Sequence, residues 1–463
     1  MAHPYMSNSV QDIIKELLDY VGVEKVDDLF SQIPEDHRTK HQFKLPKGVK
    51  SEAAVAREVR SILAKNKSCA EYLSFLGNGY WQHYVPAICK TVVTRSEFLT
   101  SVWGTTLSDQ GRFQALFEFQ SLLGELLDYD FVSLPVYSWG CAAGHALRMA
   151  ARITGRKEVI VPSFLEPERF KVIQTYCGEP ELRGGLKIVQ VGYDPSTGRT
   201  DLEDLGRKVN ENTAAVYFEN PNSFGIIEQD AAEIVQIAHQ NGAEVVAGVD
   251  PISLGVLAPP GQYEADIGVG SLQPLGISLN AGGGVGGFIA SRDEEKYARQ
   301  YPTLQVGLYD DPKTGTKQMA MVLFGQTSYG ARENGNDWTG NSVYLWAIAS
   351  AIYMSMLGPE GFVELGNTIL SRSHYFADAV SGVPGVKVLW SPSFFKEVVV
   401  DFRQTGKSVD YINKALYENG IFGGYDLGRQ SKELEGCALY CVTEVHTKDD
   451  IERLVSTLRR VLS

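Results

Sequence analysis

The sequence predicts an α/β fold: a seven-stranded, mostly parallel sheet with helices on both faces, a small C-terminal α/β domain and an N-terminal helical arm. Three observations predict it. Short β-rich runs alternate with helical patterns through the middle of the chain, which requires crossover connections and a mostly parallel sheet. A second, shorter set of strands and helices follows residue 386. Three short amphipathic helices precede all of the strands. The 463 residues, 44% hydrophobic and 21% charged, are enough to bury a large core. The expected divisions are an arm at 1–75, a large domain at 76–331 and a small domain at 332–463, with the second boundary near Arg332.

In the arm, Val10–Tyr20 places Ile13, Ile14, Leu17 and Leu18 at helical spacing. Asp27–Phe30 is a short apolar turn. Ser51–Lys65 puts Ala54, Val55, Val59, Ile62 and Leu63 on one stripe. Such helices need another surface to cover their apolar faces. The strands expected next are Phe131–Val136, Glu158–Pro162, Lys187–Gly192, Ala214–Glu219, Ala243–Val249, Asp266–Gly270 and Val285–Ala290. Helical patterns between them include Cys141–Ile153, Pro167–Cys177, Asp201–Val209 and Gln229–His239. The Gly-rich link before the last strand is short enough for a hairpin, which would make that strand antiparallel. Lys296–Lys317 is polar, with Gly and Pro, and is predicted to be a long loop. A buried helix is predicted at Val343–Leu357. Strands at Val386–Leu389, Glu397–Phe402 and Ala438–Val442, with helices at Val409–Tyr417 and Lys448–Leu462, complete the small domain.

The formal charge of -13 makes the chain a poor partner for nucleic acid or an anionic membrane surface. The six cysteines form no CxxC pair and sit in apolar contexts, as free thiols of a reducing, cytoplasmic compartment do. Met1–Asp12 lacks the pattern of a signal peptide. The uncharged stretch Trp338–Pro359 has an apolar part interrupted by Ser350 and Ser355, so it is expected to be a buried helix and not a membrane span. Gly282-Gly283-Gly284-Val285-Gly286-Gly287 matches GxGxxG in letters only, because it opens onto the strand Phe288-Ile289-Ala290 and not onto a helix. It is better explained by a backbone crowded against something that leaves no room for Cβ atoms. No HExxH, no His/Cys cluster at ligand spacing and no GxSxG is present, so neither a metal site nor a serine nucleophile is expected.

Seven strands followed by a small C-terminal α/β domain is the arrangement of fold-type I pyridoxal-phosphate enzymes, whose chemistry makes three demands. A loop opening a helix should hold the phosphate, and Ser138-Trp139-Gly140-Cys141-Ala142-Ala143 fits such an anion cradle. A carboxylate at a strand end should pair with the ring nitrogen, and Asp250 fits; the same carboxylate can equally cap a strand end. A lysine should follow the next strand to carry the cofactor covalently. There the chain reads Ser271-Leu272-Gln273-Pro274, and between the third strand and Lys296 the only lysine is Lys208, on the wrong side of Asp250. The frame has no nucleophile, so no catalytic residue is expected in this chain.

Several segments resemble subunit 1, the α subunit, of the two-subunit glycine dehydrogenase (decarboxylating), the P-protein of the glycine cleavage system. They include Phe75-Leu76-Gly77 with His83-Tyr84-Val85-Pro86, Arg95-Ser96-Glu97-Phe98, and Gln110-Gly111 through Phe117-Glu118-Phe119-Gln120. Asn220-Pro221-Asn222-Ser223-Phe224-Gly225, Val249-Asp250-Pro251 and Leu357-Gly358-Pro359-Glu360-Gly361 follow. The most specific block is Gly420-Ile421-Phe422-Gly423-Gly424-Tyr425-Asp426-Leu427-Gly428, with Cys441-Val442-Thr443-Glu444-Val445-His446-Thr447 after it.

The resemblance covers residues 10 to 463 in order, and implies the following. The pyridoxal phosphate is held covalently by a lysine-bearing β subunit, whose His-Lys motif aligns with Gln273 and Pro274. This chain completes that partner's site in a heterotetramer. The complex decarboxylates glycine and passes the aminomethyl group to the lipoyl carrier H-protein. Residues implied to reach across the interface are His83, Tyr84, Thr339 and Asn341, with Ser138, Gly140 and Asp250 as a vestigial frame. His83 and Tyr84 can also be read as packing residues, and Thr339 as a cap of the Val343 helix. The chain departs from the usual α-subunit pattern at Ser138–Ala142, at Glu166 and at Arg332–Asn336. These departures leave open a divergent paralogue serving another amino acid, or a non-catalytic scaffold.

Overall fold

The computed structural model describes residues 3–41, 43–99, 106–182, 184–280, 285–336, 339 and 343–463. The chain forms two compact units, Met1–Lys67 and Ser68–Ser463. The first holds α1 (Gln11–Val21) and α2 (Glu52–Leu63). Gly22 ends α1 in the left-handed region, and the Ser51 hydroxyl caps α2 by accepting from the Ala54 amide. Neither helix buries a residue.

The second unit begins with β1 (Leu73–Ser74), α3 (Ala87–Val93) and α4 (Thr106–Leu127). The alternation follows: β2 (Phe131–Val132), α5 (Trp139–Thr154), β3 (Glu158–Pro162), α6 (Pro167–Cys177), β4 (Lys187–Val191), α7 (Leu202–Lys208), β5 (Thr213–Asn220), α8 (Ala231–Gln240), β6 (Glu244–Val249), β7 (Ile267–Ser271) and β8 (Gly287–Ser291). These seven strands form one sheet in the order β2-β8-β7-β6-β5-β3-β4. Strands β4, β3, β5, β6 and β7 run parallel, while β8 is antiparallel to β7 and to β2. The expected hairpin geometry at the last strand is therefore present. Strands β3, β5 and β7 are buried along their whole length and carry no polar alternation, which is how a sheet covered on both faces reads.

The remaining elements are α9 (Glu295–Ala298), β9 (Gln305–Asp310), β10 (Lys317–Val322), α10 (Ser328–Ala331), α11 (Tyr344–Ser381), β11 (Lys387–Val388), β12 (Glu397–Asp401), α12 (Val409–Glu418), β13 (Ile421–Phe422), β14 (Tyr425–Asp426), β15 (Cys437–Cys441) and α13 (Lys448–Leu462). Four of these strands form an antiparallel sheet, β11-β12-β15-β14. β1 pairs in parallel with β13, which ties residues 73–74 to the C-terminal part of the chain.

Two expectations are corrected. The long loop predicted at Lys296–Lys317 is a short helix and an antiparallel hairpin, in which Lys317 to Val322 pair with Asp310 to Gln305. Its strands alternate too weakly to be read from sequence, because only Gln305 and Val306 are buried. The helix predicted to end at Leu357 runs on to Ser381 across a kink. Gly358 sits there at φ 60° and ψ 179°, and Pro359 supplies no amide, so two helices meet end to end.

The GxGxxG segment is described from Val285 onward; its first three glycines lie outside the described residues. A Cβ on Gly287 would stand 2.2 Å from the Ser138 carbonyl oxygen, so β8 can pass the start of α5 only because that position is glycine. All six cysteines are free thiols. Among the described residues no helix is long and apolar enough to cross a membrane, and no group of His, Cys, Asp and Glu is placed to hold a metal ion.

Candidate functional site

Register places the site. Asn220 pairs with Val249, and Val249 with Gly270, so β5, β6 and β7 end together. Asp250 and Ser271 therefore emerge side by side, with Glu219 level with Gly248 just before them, at the carboxyl edge of the sheet, where open α/β sheets bind ligands. At the expected cradle, Ser138 is the N-cap of α5, its hydroxyl accepting from the Cys141 amide at 3.2 Å. Beside it lies a cleft of about 620 Å³, lined by Ser138, Trp139, Gly140, Glu166, Arg169 and Gln273 among others.

The inner end of this region is filled. A cavity of only about 20 Å³ remains among Trp81, Trp139, Arg169, Glu219, Asp250 and Lys396, enough for about one water molecule. Two buried ion pairs close it. Arg169 Nη1 donates to both carboxylate oxygens of Glu219 at 2.6 Å, and its guanidinium lies 3.8 Å above the Trp139 ring. The Tyr217 hydroxyl donates to Glu219 Oε1 at 2.6 Å, the Ser223 hydroxyl donates to Oε2 at 3.1 Å, and the Trp139 ring N–H donates to the Tyr217 oxygen at 3.0 Å. Burial lowers the Arg169 pKa, but Glu219 outweighs it and holds the pKa above its ordinary value.

The second pair is Asp250 with Lys396. The Lys396 ammonium stands 2.6 Å from Asp250 Oδ2 and 3.4 Å from the centre of the Trp81 ring. It also lies 3.3 Å from His83 Nε2, while His83 Nδ1 is 2.9 Å from Glu444 Oε2. Glu444 Oε1 accepts from the Tyr84 amide at 2.7 Å. Burial raises the Glu444 pKa, but His83 and the Tyr84 amide more than offset this and hold the carboxyl at about 2.

The expected residues fall into three groups. Asp250 is at its strand end, but its carboxylate is occupied by Lys396 and by the Ile252 amide at 3.2 Å. His83 is buried against Glu444 and Lys396, and Thr339 is buried with its hydroxyl 3.2 Å from His145 Nε2. Both side chains point inward in this chain. Of that set, Tyr84 is 64% exposed, and Asn341 lies outside the described residues. Gly140 packs against α6, where an added Cβ would meet the Val172 Cβ at 3.0 Å. Pro274 follows β7 in a turn closed by the Gln273 side-chain amide, which donates to the Ile277 carbonyl at 2.9 Å.

The departures from the family pattern have structural work. Glu166 caps α6, accepting from the Glu168 and Arg169 amides at 2.8 and 2.6 Å. Asn336 donates to the Arg299 carbonyl at 2.7 Å. Trp139 supports both Arg169 and Tyr217. Sequence reasoning missed Arg169, Glu219, Lys396 and Glu444 as parts of the site. The available signal was Lys396-Glu397 leading directly into the apolar run Val398-Val399-Val400, a pair of charges where a buried strand begins.

The filled end does not fit a cofactor ring: the cavity beside Asp250 has room for about one water, Lys396 already stands on Asp250, and no lysine lies between β7 and Lys296. The wider cleft beside Ser138 lies outside that filled end.

The comparisons with known proteins agree in their family. Residues 3–458 match the family model described as "Glycine cleavage system P-protein". "Probable glycine dehydrogenase (decarboxylating) subunit 1" from Staphylothermus marinus is 38% identical, covering 100% of this chain and 99% of its own length. The protein of that name from Sulfurisphaera tokodaii is 37% identical over 100% and 99%. Among solved structures, a glycine decarboxylase (P-protein) of the glycine cleavage system in inhibitor-bound form matches with a TM-score of 0.86 and 30% identity, over the whole of both chains. A Burkholderia pseudomallei sphingosine-1-phosphate lyase, at a TM-score of 0.62 and 18% identity, covers 93% of this chain and 94% of its own and shares the fold alone. The chain belongs to the glycine cleavage system P-protein family.

Proposed function

We propose that this chain is the non-lysine α subunit of a cytoplasmic glycine decarboxylase. It completes the pyridoxal-phosphate site of a lysine-bearing β subunit, in a heterotetramer that decarboxylates glycine and passes the aminomethyl group to the lipoyl carrier H-protein. Full-length similarity to proteins named subunit 1, with Pro274 closing the turn where the fold calls for a lysine, carries this reading. The family works with pyridoxal phosphate, whose role is to act as an electron sink when carbon dioxide leaves. This chain's part is to orient and enclose. Tyr84 is its proposed contact with the partner's cofactor: the side chain is exposed while its amide is pinned by Glu444.

Co-expression with the lysine-bearing partner tests the reading. The mixed subunits should sediment as one larger species, show the absorbance of bound cofactor and exchange bicarbonate into glycine. Neither chain alone should exchange. If this chain alone carries a borohydride-reducible chromophore mapped to one of its own lysines, or if the mixed subunits do not exchange, the reading fails.

A further inference from the structure

The Asp250–Lys396 pair is built from distant parts of the chain. Asp250 ends β6 of the large sheet, whereas Lys396 precedes β12 of the small sheet. Both side chains are almost wholly buried, at 3% and 2% exposure. Lys396 is also held at φ 50°, a left-handed conformation that a non-glycine residue adopts only where its surroundings impose it. That backbone turns back on itself, with the Glu397 amide donating to the Phe395 carbonyl at 2.6 Å. The ammonium rests on the Trp81 face at 3.4 Å, within cation–π range, and touches His83 Nε2 at 3.3 Å. Aromatic face, carboxylate and ring nitrogen thus converge on one cation.

We propose that Lys396 is a resident internal ligand: its ammonium permanently occupies a cation slot formed by Asp250, Trp81 and His83, and so closes this chain's own site to any exogenous nitrogen cation. The slot is selective by charge and size. Cut the lysine back and it should accept a small primary ammonium ion. The same change leaves Asp250 buried without its counter-ion, which is strongly destabilising. The inference concerns this chain's pocket alone, and its test uses neither turnover nor partner, so it stands or falls separately from the proposed function.

The test is thermal melting of the full chain as wild type, Lys396→Ala and Lys396→Met, with ethylammonium chloride against equal sodium chloride. Lys396→Ala should melt ~4–6 °C lower. Ethylammonium should raise that melting temperature saturably, because a ligand bound only by the folded state stabilises it. Wild type and Lys396→Met, whose slots remain filled, should not respond. Ethylammonium and sodium acting alike on Lys396→Ala would overturn the proposal. So would a saturable rise of the wild-type melting temperature with ethylammonium. If Lys396→Ala does not fold, Lys396→Met with Asp250→Asn decides: the double variant should melt well above Lys396→Met alone, and equal melting refutes the pairing.

Discussion

Replacing Arg169 by methionine isolates the charge of one buried pair. The methionine thioether can still cover the Trp139 ring, so most of the apolar contact survives. What is lost is the cation that Glu219 holds at 2.6 Å on both oxygens. Among the described residues, the Tyr217 and Ser223 hydroxyls are then what donates to the buried Glu219. Removing one partner of a buried ion pair costs ~3–5 kcal/mol, because the other charge is left uncompensated. Unfolding entropy of ~2.1 cal/mol/K per residue over about 400 residues gives ~0.8 kcal/mol per degree, so the melting temperature should fall by ~4–6 °C. Glu219→Gln alone strands Arg169 and should cost a similar amount. The double variant carries no buried charge, and the amide that Glu219→Gln introduces keeps an acceptor oxygen for the Tyr217 hydroxyl. It should therefore recover ~1–3 kcal/mol relative to the sum of the single changes. Differential scanning calorimetry of the four proteins measures that coupling. A shift below ~1 °C for Arg169→Met, or costs that simply add, would refute the claim that this pair closes the site.

Glu444 and Glu397 predict opposite pH behaviour. The Glu444 carboxyl is held at about 2, below its unfolded value, so its contribution is present above ~4.5 and lost as pH falls towards 2. Glu444→Gln should flatten the acid-unfolding curve in that window by ~3 kcal/mol, and superimposable curves would sink the argument. Burial pushes Glu397 up to about 7, against the nearby Lys396 ammonium and the Asn78 amide, so its contribution is present below ~4.5 and lost as pH rises to 7. Glu397→Gln should lose less stability than wild type between pH 5 and pH 8; Glu228, also raised to about 7, titrates in both proteins and cancels in the comparison. In the two-subunit complex, Tyr84→Phe should weaken cofactor binding or exchange with little change in melting. Thr339→Ala, which deletes the hydrogen bond to His145, should lower stability by ~1 kcal/mol and leave the partner's cofactor affinity unchanged.

The sheet was legible because its strands are short, mostly apolar runs rich in Val and Ile, such as Glu158–Pro162 and Glu244–Val249, set between helical patterns. The missing lysine was legible because it depends on one residue at one strand end. The filled slot was not, because its parts come from loops hundreds of residues apart. Lys396 meets His83 across 313 positions, and Glu444 meets His83 across 361. The local signal at Lys396-Glu397, two charges opening the run Val398-Val399-Val400, is weak, because a lysine ahead of a strand ordinarily reads as solvated. The inward turn of His83 was hidden for the same reason, since its partners lie near the other end of the chain. The β9–β10 hairpin escaped because its strands bury little and so carry no period of two.

The turn at Gln273–Pro274 has a consequence for redesign. Mutating Pro274 to lysine would place an amine at the end of β7, but the filled end beside Asp250 would not admit a ring. Lys396 and Arg169 would also have to give way, and either change made alone leaves Asp250 or Glu219 buried without its counter-ion. Each of those two changes, made singly, passes through a less stable protein. A covalent cofactor site in this chain therefore takes several coordinated substitutions, not one.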